Sequence, residues 1–118
     1  MANPNIVNVS TIYGNTGTLA VTTAMTNVVS NPASSNFLYK VNQLVITNAC
    51  TSSLAVNLQL NQGGVNTALA ANVVVPSASI LVVLGKDTQT YLLENNSLQM
   101  NTSSNGFLTA TCSWEQIG

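Results

Sequence analysis

The sequence predicts an all-β protein: a single β-sandwich over residues 1–118, jelly-roll-like or related, built from about eight short antiparallel strands. Three observations carry this expectation. Apolar and polar residues alternate with a period of two along almost the whole length, as strands with one buried face require. Seven clusters of Gly, Pro, Asn, Asp and Ser break the alternation at short intervals. No segment holds a helical apolar period long enough to stand as a helix.

Taken in order, MANPNIVNVSTI starts polar and then alternates, so residues 1–12 form either an N-terminal arm that adds to a neighbour's sheet edge or an edge strand of the chain itself. Gly14-Asn15-Thr16-Gly17 reads as the first turn and Asn31-Pro32 as the next. In FLYKVNQLVITN, Phe37, Tyr39, Val41 and Val45 share one face, and Leu38, Leu44 and Ile46 the other, interrupted by Lys40 and Asn42. Two partly apolar faces predict a central or covered strand. SLAVNLQL is the clearest half-buried strand, with Leu54, Val56, Leu58 and Leu60 opposite Ala55, Asn57 and Gln59.

After the turn at Asn61-Gln62-Gly63-Gly64, NTALAAN (66–72) fits either one helical turn or a strand running on into VVVP. Pro76-Ser77, Gly85-Lys86-Asp87 and Asn95-Asn96-Ser97 supply further turns. Asn105-Gly106, between LQMNT and FLTATCSW, is the strongest hairpin signal, because that pair suits a type I′ turn.

Only five residues carry a side-chain charge, namely Lys40, Lys86, Asp87, Glu94 and Glu115, and the chain has neither His nor Arg. That is 4% against about 25% in ordinary soluble domains, while the 46% hydrophobic content is ordinary. Asn, Thr and Ser make up 43 of the 118 residues and take the place of charge on the surface. A net charge of −1 gives little self-repulsion, so a homo-oligomer or a subunit of a larger assembly is expected. Two lysines cannot form the basic stripe that neutralises nucleic-acid phosphates, so no nucleic-acid partner is expected, and they are equally too few for an anionic membrane surface. No apolar run reaches the length of a membrane span, and MANPNIVNV lacks the charged and apolar regions of a signal peptide.

The chemistry of a catalytic site is missing from the composition. Without His there is no Ser-His or Cys-His pair, so no catalytic residues, cofactor or metal ligands are expected. Asp87 and Glu94 read as solvated loop charges rather than a glycosidase pair. Cys50, at a strand end, and Cys112, on the buried parity of the last strand, allow one disulfide but do not demand it. Thr-Gln-Thr at 88–90 and Thr-Ala-Thr at 109–111 fit cross-strand Thr pairing better than an ice-binding ladder. Tyr13, Tyr39, Tyr91 and Trp114 could stack on sugars, so a carbohydrate-binding or adhesion module stays as a rival function, although scattered aromatics fit sheet packing better.

The two ends are the candidate partner-binding segments: Asn5, Ile6, Val7, Asn8, Val9 and Ile12 as an arm, with Trp114 and Ile117 as a small apolar patch. IVNVSTIYGNTGTLAVTT at the start, NFLYKVNQLVITN in the middle and LTATCSWEQI at the end together resemble a family of small virion structural proteins of tailed phages, especially those infecting marine cyanobacteria. The chain is poorer in charge than the more acidic members of that family. The resemblance implies a non-enzymatic capsid decoration (cement) protein, bound to the major capsid protein or other virion proteins and assembled as a trimer. A tail, neck or fibre position in the virion has the same composition and stays open beside it.

Overall fold

The computed structural model describes residues 11–85, 90–103 and 108–118. Nine strands run in chain order as β1 (Ile12–Val21), β2 (Thr26–Asn31), β3 (Leu38–Asn48), β4 (Leu54–Gln62), β5 (Val65–Val75), β6 (Ile80–Leu84), β7 (Thr90–Leu92), β8 (Asn96–Thr102) and β9 (Leu108–Ile117). One sheet has the order β1-β9-β3-β6, and β7 also pairs with β3; the second has the order β2-β8-β4-β5. Every pairing is antiparallel. β6 covers the Leu44–Thr47 part of β3 and β7 the Tyr39–Val41 part, so the two act as one interrupted strand. Counted that way, eight strands make two sheets of four with the connectivity of a jelly roll.

Alternation places the core between the sheets. Val21 from β1, Val41, Leu44 and Ile46 from β3, and Leu108, Ala110 and Cys112 from β9 meet Val29, Leu54, Val56, Leu58, Val75, Leu98 and Met100 from the second sheet. Leu54, Val56 and Leu58 are buried as their spacing predicts, and Leu60 packs half-buried at the margin. The Ala-rich segment 66–72 lies within β5 as a strand.

Three expectations are corrected. First, Gly14–Gly17 is not a turn: β1 pairs with β9 without a break from Ile12↔Ile117 to Val21↔Leu108. The glycine at 17 serves a close approach instead, since a Cβ there would lie 3.2 Å from the Trp114 ring. Second, β3 is central as expected, lying between β9 and β6, but its two apolar faces arise from a bulge and not from cover on both sides. Its register against β9 shifts between Val41 and Gln43, so Asn42 is extra and the inward parity changes from Tyr39 and Val41 to Leu44 and Ile46. Third, β8 and β9 form no hairpin; they lie in different sheets, and Asn105-Gly106 falls outside the described residues in the connection between them. The β4–β5 connection is a hairpin, with Gly63 and Gly64 at positive φ (62° and 99°) as the turn requires.

A jelly roll sends most of its connections from one sheet to the other, and each crossing leaves backbone groups without a ladder partner. Two fully buried asparagines fill that role. Asn31, at the end of β2, donates through Nδ2 to the carbonyls of Phe37 (2.9 Å) and Leu92 (2.9 Å), joining the β2–β3 and β7–β8 crossings. Asn48, at the end of β3, directs Nδ2 to the carbonyls of Ser52 (3.1 Å), Val75 (3.0 Å) and Pro76 (3.2 Å), while its Oδ1 accepts from the Cys50 N–H (2.8 Å). It thereby joins the β3–β4 and β5–β6 crossings at the other end of β3. The β1–β2 crossing has no Gly or Pro; Thr22 holds it through its hydroxyl, which meets the Ala24 N–H and carbonyl at 3.2 Å.

Replacing Asn48 by Ala strands several buried carbonyls, so Asn48→Ala is expected to lower stability by about 3 kcal/mol in denaturant unfolding. Asn66→Ala, on the exposed part of β5, is expected to stay within about 0.5 kcal/mol of the parent. Equal effects of the two substitutions would contradict the role given to Asn48.

Candidate docking surface

With the core between the sheets, the molecule presents two broad outer faces of different chemistry. On the β1-β9-β3-β6 sheet the outward residues line up across the strands in register. Ala20, Thr109, Thr47 and Ile80 form one row, and Thr18, Thr111, Val45 and Val82 the next. Thr16, Ser113 and Gln43 form a third, in which the Thr16 and Ser113 hydroxyls meet at 3.1 Å. Not one of these eleven side chains is charged. Among the described residues charge enters in the next row, where Lys40 lies opposite Glu115 and beside Tyr91. The Thr-Ala-Thr of β9 therefore takes part in cross-strand Thr pairs with Thr18 and Thr47.

The other outer face is a set of amide ladders. Gln99 Nε2 donates to Asn27 Oδ1 (2.9 Å), and Gln59 Nε2 donates to Gln99 Oε1 (2.7 Å), a chain across β2, β8 and β4. Below it Asn57 Nδ2 donates to Asn101 Oδ1 (3.0 Å), while Asn57 Oδ1 accepts from the Asn72 N–H (2.8 Å). Asn61 Nδ2 donates to Asn66 Oδ1 at 2.6 Å. Seven Asn and Gln side chains thus bond to one another across this sheet, leaving the hydroxyl and β-branched face of the first sheet as the less committed surface.

The candidate partner-binding residues fall into different settings. Asn5, Ile6, Val7, Asn8 and Val9 lie outside the described residues. Ile12 opens β1 and is 60% exposed, next to Tyr13 at 54%. Trp114 and Ile117 do not form a shared patch. An odd sequence separation in one strand points them to opposite faces. Trp114 packs half-buried on the core, stacked on Tyr39 with centroids 6.2 Å apart, and its indole N–H is buried without an acceptor among the described residues. Ile117 is 5% exposed.

Sequence reasoning did not single out Val74 (56%), Ile80 (63%) and Val82 (57%), exposed on β5 and β6, because short apolar runs such as VVVP and ILVVL do not show which of their side chains face solvent.

Glu94 Oε2 accepts from the Asn36 N–H at 2.8 Å in the loop before β3, and Asp87 lies outside the described residues. Among the described residues no three His, Cys, Asp or Glu side chains gather as metal ligands.

Cys50 and Cys112 are separate free thiols. The Ser52 hydroxyl, 3.4 Å from the Cys50 sulfur, lowers the Cys50 pKa, whereas burial pushes Cys112 up to about 12.

No family model matches the chain, and no curated protein matches it. A solved structure does: a chain from work reporting that "Bacillus endospore appendages form a novel family of disulfide-linked pili" aligns with 99% of this chain and 96% of its own length. The TM-score is 0.56 and the identity 12%, a likeness of fold.

At pH 8 a thiol reagent is expected to modify Cys50 rapidly and Cys112 only after unfolding; equal rates in the folded protein would contradict the burial of Cys112. A folded pKa raised from 9.0 to about 12 stabilises the protein fully below pH 9 and progressively less as pH rises toward 12. The melting-temperature advantage of the parent over Cys112→Ala is therefore expected to shrink across that window. An advantage that stays constant would count against it.

Proposed function

We propose that this chain is a non-enzymatic virion structural protein, a capsid decoration protein that lies on the outer shell of a tailed phage and bridges neighbouring capsomers. The observation that carries the reading is the uncharged outer face of the β1-β9-β3-β6 sheet, three rows of hydroxyl, methyl and β-branched groups on a rigid sandwich. Such a face binds by shape, methyl contact and neutral hydrogen bonds, so its grip does not rely on ion pairs that salt screens. The jelly roll occurs in viral capsid and lectin domains, which supports the reading by analogy of fold alone. The resemblance of the first, middle and last segments to phage virion proteins points the same way. In this account Asn5 to Ile12 leads the contact with the shell, and the sandwich supplies the rigid body.

A second reading, a subunit of a surface filament, is favoured by the fold match to an endospore pilus chain over 99% of the sequence. It differs in what the purified protein does alone. A filament subunit polymerises without a shell, whereas a decoration protein stays a small soluble oligomer until it meets capsids.

Quantitative mass spectrometry of purified particles is expected to find the chain at a copy number comparable with the major capsid protein and to find it retained after washing in moderate salt. A tail-level copy number, or release by salt alone, would contradict decoration by a neutral surface.

A further inference from the structure

Every open sheet exposes an edge of unpaired N–H and C=O groups, and proteins that remain monomeric blunt such edges with short strands, bulges, charges or proline. Among the described residues this sandwich has four edge positions. β2 has six residues and a register shift between Asn27 and Val29. β5 shifts register against β4 twice, between Val56 and Leu58 and again between Leu58 and Gln59, and holds Asn72 at φ 51°. The edge opposite β1 is split into β6, of five residues with its own shift, and β7, of three.

β1 has none of these protections. It runs ten residues, IYGNTGTLAV, in unbroken register with β9, with no charge and no proline. It also opens with two of the more exposed large apolar side chains of the molecule, Ile12 and Tyr13.

We infer that the free edge of β1 pairs antiparallel with β1 of a second copy, joining the two β1-β9-β3-β6 sheets into one continuous sheet. Antiparallel pairing of a strand with itself satisfies a two-fold axis, the commonest symmetry of homo-oligomers. Because neither copy brings a charge to the edge, close approach meets no like-charge repulsion. The pleat restricts the register: with the axis normal to the sheet, even-numbered residues must oppose even-numbered ones. Thr16, Thr18 and Ala20 of both copies then lie on the same side, and the uncharged outer face runs unbroken across the junction. Ile12 and Tyr13 meet the far end of the partner strand, where they supply apolar anchors. The pairing is a property of the isolated chain and stands apart from where the assembly resides.

Sedimentation velocity with hydrogen exchange tests this on the purified full chain. The expected species is a dimer of the 12.3 kDa chain, with slow exchange at consecutive β1 amides, since the set facing away from β9 is bonded to the partner. Thr16→Lys combined with Thr18→Lys places four positive charges at the junction and is expected to abolish the dimer while the monomer still unfolds cooperatively, at a melting temperature that no longer depends on protein concentration. A parent protein that is monomeric across the concentration series would overturn the inference. An assembly that survives both lysines, with alternate β1 amides exchanging freely, would overturn it as well. Should the double-lysine variant fail to fold, the exchange pattern of the parent decides alone.

Discussion

The fold depends on how a jelly roll pays for its crossings. Because strands alternate between sheets, backbone groups at the corners have no neighbour in a ladder, and the corners lie too near the core for water to satisfy them all. Asn31 and Asn48 meet this need from opposite ends of the sandwich, each bonding two crossings with one side chain. An amide suits the task because it offers two donors and an acceptor without the desolvation cost of a charge. A charged residue in either position would need a buried counter-ion, and this chain has almost none to give.

The same economy of charge shapes the surface. Where most proteins keep their sheets wet with Lys and Glu, this one uses two neutral solutions on opposite sides. Amides on the β2-β8-β4-β5 sheet bond across strands and are largely occupied by one another. Hydroxyl and β-branched residues on the β1-β9-β3-β6 sheet have fewer internal partners, so that face can lie against another flat neutral surface at little desolvation cost. The edges are just as unequal: three are shortened, bulged or split, and β1 is long and regular. Among the described residues, the less committed face and the longest regular edge belong to the same sheet.

Much of the architecture is legible in the sequence because it rests on local alternation. Leu54, Val56 and Leu58 announce β4, and Gly63-Gly64 announces the β4–β5 hairpin. What misleads are features whose meaning depends on a distant strand. Gly14 and Gly17 look like turn residues, yet Gly17 is small because Trp114, 97 residues later, occupies the space its side chain would need. Asn42 looks like a polar interruption and is a bulge, visible only against β9. Asn105-Gly106 has the chemistry of a hairpin, but the strands around it belong to different sheets. Asn31 and Asn48 are indistinguishable in composition from fifteen other asparagines, and only the three-dimensional crossings single them out. The candidate site is less legible than the fold for the same reason: Trp114 and Ile117 are near in sequence and face apart.

The proposed function rests on the division between a sheet whose amides bond to one another and a sheet whose uncharged face is less committed. In the reading proposed above, the uncharged face and the long regular edge of that sheet are where neighbours are held. A reconstruction of intact phage particles tests this most directly. The account predicts jelly-roll density repeated over the outside of the shell, with the β1-β9-β3-β6 sheet turned toward neighbouring subunits. Density confined to the tail, or a shell bearing the sandwich with that sheet facing solvent, would contradict it.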